Sequence, residues 1–423
     1  MKEYPYWLDT LQQPPASSQN IPERIDVAVV GAGYTGLSAA RQLARAGATV
    51  VVFEAERVGF GASSRNAGQV LAGMKLEPAL LVARYGEARA RRLFDISLEA
   101  IGALEQVIAD EAIACEYEQV GHVQAAAKPS HFSAFREEQA LLARVFGHRV
   151  ALLSASEQRA ELGTDAYHGV MVDERSAALN PAKYVDGLAR AACRAGARVV
   201  TGAAVRRVDR AAGGWKLETS AGSFDAREVL LATNGYTNGA APALQRRFVP
   251  IGSYIVVTEP LSRADAAAIL PRRRTAFDSK NFLFYFRLTA DDRLLFGGRA
   301  EFSAQTPEST RRAASILREG LARLFPTLAS IRVEYAWGGR VAFTRDQMPH
   351  AGCLDGLHYA GGYCGHGVAM ATYLGAIVGR RIAGDPIEHP LVDDRFPPIP
   401  FYRGNPWFLP LVGAYYKVKD WVQ

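Results

Sequence analysis

Residues 25–54 read IDVAVVGAGYTGLSAARQLARAGATVVVFE, and this stretch decides the fold. The run Ile25–Val30 is rich in β-branched residues and ends at Gly31, which predicts a buried strand. Apolar residues recur at helical spacing from Gly36 to Ala46, and Ala48–Phe53 predicts a second buried strand. This β-turn-α-β order predicts parallel strands joined by a right-handed crossover.

The glycines of this stretch follow the GxGxxG pattern in the context that a dinucleotide site requires. Gly31 permits the tight turn, Gly33 lets the backbone approach a pyrophosphate, and Gly36 allows the helix to pack closely on the sheet. The helix N-terminus offers free N–H groups to the phosphates. Glu54 can accept hydrogen bonds from ribose hydroxyls, which disfavours NADP and leaves NAD open at this point. The predicted contacts of this unit are Gly31, Ala32, Gly33, Tyr34, Thr35, Gly36, Glu54 and Ala55.

Composition indicates a soluble globular protein. The chain has 423 residues, of which 49% are hydrophobic, and a formal charge of +6 from scattered basic residues. Arg272–Arg274 is the one dense basic cluster and predicts a solvated loop, so nucleic-acid binding is not expected. The four cysteines lack CxxC spacing, which predicts reduced thiols and no metal site. Without a signal peptide or an apolar run of about 18 residues, we expect a cytoplasmic protein.

Three further segments resemble the D-amino-acid-oxidase-like family of FAD-dependent oxidoreductases. They are the loop Gly59–Gln69, the segment Leu230–Tyr236 and the helix-opening loop Gly361–Val368, within a similarity that spans residues 25–385. Ser64–Asn66, Phe284–Leu288, Leu294–Arg299 and Gly365–Gly367 look most like the gamma-glutamylputrescine oxidoreductase and sarcosine oxidase-like branch. The resemblance implies FAD as the cofactor. It implies further contacts from Gly61, Ala62, Ser63, Ser64, Arg65, Asn66, Gly68, Gln69, Val205, Thr233, Asn234, Gly235, Arg340, Gly362, Gly365, His366, Gly367 and Val368.

The resemblance also implies the division of the chain into domains. We expect an α/β fold in which a Rossmann-type FAD-binding domain is intertwined with an antiparallel-sheet α+β substrate domain, because three strand runs between residues 254 and 298 lack intervening helices. The predicted segments are an N-terminal arm at 1–24, the FAD-binding domain at 25–76, 161–245 and 335–390, the substrate domain at 77–160 and 246–334, and a tail at 391–423.

Departures from the resembled family shape the expected chemistry. Sarcosine-oxidase relatives attach FAD through a cysteine, and the matching stretch Gly339–Asp346 has none, so non-covalent FAD is predicted. Those relatives bind a substrate carboxylate with a lysine where this chain has Ala369, which favours an amine, polyamine or N-substituted amine over a small α-amino acid. Their oxygen-assisting lysine is replaced by Leu295, with Lys280 as a candidate substitute. Oxygen and another electron acceptor therefore both stay open.

The predicted reaction is oxidation of a C–N bond, in which a hydride passes from the amine carbon to flavin N5 and the imine is hydrolysed. The helix that starts at Gly365–Val368 would favour negative charge on the flavin, and His366 could donate a hydrogen bond there. Alternation places Tyr285 and Arg287 on one face of a strand, with Phe284 and Phe286 in the sheet core on the other. The predicted catalytic residues are His366, Tyr285, Arg299, Tyr254 and Arg287, with the two arginines as partners of a distant carboxylate.

Two alternative functions fit the sequence. One is an amine or amino-acid dehydrogenase that passes electrons to quinone, in which the apolar tail Pro406–Tyr416 lies on a membrane surface. Such a tail more often packs on its own protein or on a second copy, so membrane association is not expected. The other is a non-catalytic flavin-binding redox module. The amine, the electron acceptor and the oligomeric state are not encoded in any motif that we find.

Overall fold

The computed structural model describes residues 1–12, 17, 20–298 and 306–422, with the backbone alone for residues 307 and 416–422. Arg299, one of the predicted catalytic residues, lies outside the described residues. The helices are α1 Tyr6–Asp9, α2 Tyr34–Arg45, α3 Pro78–Asp110, α4 Pro129–Leu141, α5 Pro181–Arg194, α6 Pro242–Gln245, α7 Arg263–Ile269, α8 Pro307–Leu324, α9 Gly367–Ile382 and α10 Leu409–Val422.

Strands make up two large sheets and one short pair. They are β1 Ile25–Val30, β2 Val50–Phe53, β3 Gln69–Val70, β4 His122–Ala125, β5 Ala151–Ser154, β6 Gly169–Asp173, β7 Ala177–Ala178, β8 Arg198–Val200, β9 Val205–Ala211, β10 Gly214–Thr219, β11 Gly222–Leu231, β12 Val249–Pro260, β13 Thr275–Asp278, β14 Phe284–Leu288, β15 Arg293–Gly298, β16 Val333–Phe343, β17 His350–Leu354 and β18 Leu357–Gly361.

The first sheet has the order β17-β18-β11-β1-β2-β8 and is parallel from β18 to β8. The strands β9 and β10 extend β11 as an antiparallel piece. Alternate residues of β1 enter two different cores: Val27 and Val29 pack beneath α2, α5 and α9, whereas Ala28 and Val30 face the side of β9 and β10. A strand buried on both faces explains the continuous apolar run in the sequence.

The second sheet has the order β16-β12-β15-β14-β13-β4-β6-β5, and every pair except β13 with β4 is antiparallel. Along β12, Tyr254 and Val256 face the core under α8, whereas Ile255 and Val257 face α1. The predicted fold class, a Rossmann-type α/β unit beside a largely antiparallel sheet, is confirmed. Two strands inside segments predicted for the FAD-binding domain, β6 and β16, lie in the second sheet.

The structure corrects the prediction for the triple arginine, which is a cluster of ion pairs rather than a solvated loop. Arg274 is 6% exposed and its guanidinium contacts Glu161 at 2.8 Å and Glu174 at 2.7 Å. Arg272 contacts Glu161 at 3.4 Å and Arg273 contacts Asp292 at 2.5 Å. Of the three carboxylates only Glu161 is buried, and Arg272 stays 64% exposed, so the burial of the cluster is confined to the pair of Arg274 and Glu161.

Two ends of the chain have structure that the composition did not predict. The first residues form α1, whose Tyr6 and Trp7 are buried against the second sheet. The last residues form α10, and Leu409 at its start is buried while Leu411 and Tyr415 are exposed. Among the residues that the structure describes, no helix combines the length and apolar character needed to cross a bilayer.

Helix α2 lies directly on α9, and glycines make this contact possible. A Cβ atom on Gly375 would lie 2.4 Å from the carbonyl oxygen of Thr35, and one on Gly379 would lie 2.7 Å from that of Ala39. Both of these neighbours are backbone atoms of α2, which cannot move aside as a flexible side chain can. The two helices therefore depend on small residues for their separation.

We predict that Gly375→Ala lowers the free energy of unfolding by about 2 kcal/mol or more, because the added methyl group forces α2 and α9 apart. Denaturant titration followed by circular dichroism measures the change. Gly102→Ala in α3 is the matched control, since a Cβ there meets no atom within 4 Å. The control should be neutral or stabilising by about 0.5–1 kcal/mol, and equal stability of the two variants would contradict the packing argument.

Candidate active site

One large cavity runs from the carboxyl ends of β1, β2 and β11 to the face of the second sheet that carries Tyr285. Its volume is about 480 Å³, within the range of about 300–1,000 Å³ that is common for ligand cavities. The predicted contacts that line it are Gly31, Gly33, Tyr34, Thr35, Glu54, Ala55, Gly61, Ala62, Ser63, Arg65, Asn66, Gln69, Val205, Thr233, Asn234, Arg340, Gly365, His366, Gly367 and Val368. Segments far apart in the sequence thus meet at one site.

The other predicted contacts lie behind the wall and shape it. A Cβ on Gly36 would lie 2.0 Å from the carbonyl oxygen of Gly31, and one on Gly68 would lie 2.0 Å from that of Leu179. Gly362 has a φ of +78° and would collide with Thr344. The full set behind the wall is Ala32, Gly36, Ser64, Gly68, Gly235 and Gly362.

The turn between β1 and α2 has the features that a pyrophosphate needs. Gly31 has a φ of +107°, and Gly33 is the N-cap of α2 without a capping side chain. A Cβ on Gly33 would meet Ser63 Oγ at 2.9 Å, and the N–H of Tyr34 donates to that same oxygen at 3.1 Å. Tyr34 and Thr35 line the cavity, so the positive end of the α2 dipole lies at the cavity wall.

Glu54 directly follows β2 and lines the cavity. Its carboxylate accepts hydrogen bonds from the N–H groups of Ala32 at 2.8 Å and Glu56 at 3.1 Å. Burial raises the pKa of Glu54, and these backbone hydrogen bonds oppose the rise. The carboxylate is thus held in position at the cavity wall, where a ribose diol would meet an acceptor.

At the far end of the cavity, the loop before α9 presents His366 as the N-cap of that helix. Burial lowers the pKa of His366 to about 3, with a smaller contribution from the positive charge of Lys75. The ring is therefore neutral at physiological pH. Its Nδ1 atom is buried, and no hydrogen-bond partner for it occurs among the described residues, so this atom is suited to contact a bound group.

The predicted catalytic residues separate into two groups. Tyr285 and His366 line the cavity, and the hydroxyl of Tyr285 lies 2.9 Å from Ser253 Oγ. Tyr254 is 1% exposed and donates to Ser309 Oγ on the opposite face of the sheet. Arg287 is also buried, does not line the cavity and donates to backbone carbonyls.

The register of the second sheet explains why Tyr254 and Tyr285 lie on opposite faces of that sheet. Gly297 pairs with Tyr285 on one side and with Ile255 on the other, and directly paired residues share a face. Tyr285 is therefore on the face of Ile255, one residue away from Tyr254. A Cβ on Gly297 would lie 2.2 Å from the Tyr285 ring, so the absence of a side chain there makes room for the tyrosine.

The cavity is also lined by residues that the sequence analysis missed, among them Lys75, Ile251, Ser253, Phe277 and Leu283. Lys75 follows β3 in a short segment with no motif. Ser253 lies next to the predicted Tyr254, and the alternation of β12 could have placed it toward the cavity once the register was known. Lys280, the candidate substitute lysine, instead contacts the buried carboxylate of Asp278 at 2.8 Å.

Comparison with known proteins identifies the family. The family model described as FAD dependent oxidoreductase, abbreviated DAO, matches residues 26–381. The chain belongs to this family. Gamma-glutamylputrescine oxidoreductase of Escherichia coli is 32% identical to this oxidoreductase over 400 residues, which cover 93% of this chain and 92% of the relative. A probable oxidoreductase OrdL of Haemophilus influenzae is 32% identical over 369 residues, covering 86% and 84%.

More distant relatives share the fold. Glycine oxidase of Geobacillus kaustophilus is 26% identical in sequence over 84% of this chain and 92% of that protein. Its crystal structure superposes with a TM-score of 0.74 at 20% identity, covering 90% of this oxidoreductase and 100% of that chain. The structure of L-proline dehydrogenase from P. horikoshii superposes with a TM-score of 0.70 at 19% identity, covering 88% and 96%.

FAD is the cofactor of this oxidoreductase, and the cavity fits it. The glycine turn at the start of α2, the carboxylate of Glu54 and the start of α9 at Gly367 are groups suited to a pyrophosphate, a ribose and an electron-accepting ring respectively. All three groups line one continuous cavity.

We predict that the FAD is released intact when the protein is denatured. Cys364 lines the cavity, but burial raises the pKa of its thiol to about 11, so it is protonated and a poor nucleophile at neutral pH. Acid precipitation followed by absorbance of the supernatant measures the release. Cys364→Ser is the control and should release the same fraction. Flavin colour that stays with the precipitated wild-type chain would contradict non-covalent binding.

Proposed function

We propose that this oxidoreductase oxidises a C–N bond of an amine that is a polyamine, a gamma-glutamylated amine or an N-substituted amine. The observation that carries the proposal is the make-up of the flavin end of the cavity. Apolar side chains of Ile251, Phe277 and Leu283 form its wall, beside the hydroxyls of Ser253 and Tyr285 and the start of α9. A neutral amine requires such a dry, apolar chamber with a few orienting polar groups.

The proposed reaction balances without a strong side-chain base. The substrate loses a hydride from the carbon beside nitrogen and a proton from nitrogen, which leaves an imine, and water converts the imine to a carbonyl compound and an amine. Bound FAD supplies the two-electron acceptor for the hydride. The work of the chain is to orient the amine, to hold it neutral and to exclude water until the hydride has left.

Three side chains have roles in this scheme. The Tyr285 hydroxyl, held by Ser253 at 2.9 Å, is placed to orient the substrate nitrogen. Lys75 lines the same cavity, and its proposed role concerns a part of the substrate remote from the reacting nitrogen. His366 stays neutral and caps the start of α9, where its ring adds a polar group without a competing charge.

Lys75 also bears on substrate choice. The family position for a carboxylate-binding lysine holds Ala369 here, and Arg287 is occupied behind the wall. Lys75 is a cation that does line the cavity. We therefore propose Lys75 as the group that recognises a carboxylate remote from the reacting nitrogen. A gamma-glutamylated amine carries such a carboxylate, as the name of the Escherichia coli relative indicates for that protein.

A second candidate differs in the electron acceptor: a dehydrogenase that passes electrons to a quinone. Exposed apolar side chains near the C-terminus favour it, with Trp407 62%, Leu411 67% and Tyr415 63% exposed. Such residues suit the interface of a lipid bilayer, where quinones reside.

For the oxygen-dependent reaction we propose a cytoplasmic location, because the four free cysteines stay reduced there.

We predict that an amine bleaches the absorbance of the bound flavin under anaerobic conditions. The titration compares polyamines, gamma-glutamylated amines, N-alkylated amines and α-amino acids, and air or a soluble quinone is admitted afterwards. Fast recovery in air identifies an oxidase, and recovery only with quinone identifies a dehydrogenase. A fully FAD-loaded protein that no amine bleaches would contradict the proposed function and favour a non-catalytic redox module.

We predict that Lys75→Met raises KM for amines that carry a remote carboxylate by roughly tenfold, because a charge-assisted hydrogen bond is lost. For a matched amine without the carboxylate, KM should change little. Lys216→Met is the control, since it removes the same charge from an exposed position on β10. Equal effects of Lys75→Met on both kinds of amine would remove Lys75 from substrate recognition.

A further inference from the structure

Four consecutive carbonyl groups of the flavin loop, here residues 60–69, accept hydrogen bonds from buried side chains. The indole N–H of Trp337 donates to the carbonyl of Arg65 at 2.9 Å, and that of Trp7 donates to the carbonyl of Asn66 at 2.9 Å. The guanidinium of Arg287 donates to the next two carbonyls, Ala67 at 3.4 Å and Gly68 at 3.0 Å. None of these three donors lines the cavity, so they hold the loop from behind.

The three donors come from distant parts of the chain and meet in one place. Trp7 belongs to α1, Arg287 to β14 and Trp337 to β16. Trp7 and Trp337 belong to the same buried apolar cluster, and the Arg287 guanidinium lies 5.5 Å from the Trp7 ring. The N-terminal helix is thus tied to the second sheet and to the flavin loop at once.

We propose that Trp7, Arg287 and Trp337 form a loop clamp that preorganises residues 65–68 for FAD. In the same segment, Arg65, Asn66 and Ala67 line the cavity, as does Gln69 just after it. Fixing the carbonyls on the far side fixes the backbone that presents these side chains to the cofactor. A loop ordered in advance binds without the entropy cost of ordering at the moment of binding. The three clamp residues are therefore positioning residues for the cofactor.

Arg287 contributes a buried positive charge to the loop clamp. Burial lowers the pKa of Arg287 to about 10, so the guanidinium is still charged at neutral pH. Its Nη1 atom donates to the loop carbonyls and also to the carbonyl of Leu179 at 2.9 Å. Backbone dipoles thus solvate the buried cation. A loop that turned its carbonyls away would leave only the carbonyls of Leu179 and Leu288 to compensate that charge, which ties the conformation of the loop to the arginine.

The experiment removes each indole N–H while keeping an aromatic ring in place. Trp7→Phe and Trp337→Phe are prepared as full-length protein, stripped of FAD and titrated with FAD by fluorescence. Each variant should bind FAD about two- to tenfold more weakly, the loss expected for one buried hydrogen bond. Hydrogen exchange of the stripped protein should accelerate at residues 65–68, whereas β1 and α2 should exchange as in the wild type.

Trp215→Phe is the matched control. Trp215 is also buried, but it lies on β10 beneath the guanidinium of Arg210 and away from the flavin loop. This variant should bind FAD as the wild type does. Wild-type affinity in both clamp variants, or equal weakening in Trp215→Phe, would overturn the proposal, as would faster exchange spread over the whole first sheet. If Trp7→Phe does not fold, Trp337→Phe decides alone, because it removes the bond to the adjacent carbonyl.

Discussion

The close contact between α2 and α9 is the constraint on which the site depends. Glycines on α9 let it approach the backbone of α2 at Thr35 and Ala39, and Gly36 lets α2 in turn approach Gly31. Since both helices begin at the same cavity, this packing brings two positive helix ends to a single ligand. We assign one end to the phosphates and the other to the ring that receives electrons. Apolar packing and electrostatics are therefore set by the same few small residues.

The adenosine half of the site could be predicted because it is local. The turn glycines, α2 and Glu54 all lie within thirty residues, and each has a requirement that its neighbours in the sequence reveal. The other half depends on pairing between distant strands, and a shift of one residue exchanges the two faces. That is why Tyr285 reaches the cavity and Tyr254 does not. The family resemblance predicted the cofactor segments at Thr233 and Gly365, but it did not predict the register between the strands of the second sheet.

Lys75 and the loop clamp escaped prediction for a different reason. Lys75 lies in a short irregular segment, and Trp7 lies in a segment that the sequence predicted only as an N-terminal arm. For Arg287 the sequence analysis predicted a substrate carboxylate as the hydrogen-bond acceptor. A buried guanidinium donates to anions or to several carbonyl groups, and here backbone carbonyls of the chain itself accept its hydrogen bonds. Long-range contacts of single side chains leave no periodic signal in the sequence.

The interleaving of the two sheets also governs how the protein can be made. In the first sheet β11 pairs with β18, and in the second β12 pairs with β16. Strands near the end of the chain are therefore needed to complete both sheets. Both β16 and β18 lie in the last quarter of the chain. During synthesis β11 and β12 therefore each lack one neighbouring strand until that part of the chain has been made. Such exposed edges slow folding and invite association with other chains. The cofactor cavity, which is lined by residues of both sheets, is therefore completed only after these late strands have been synthesised.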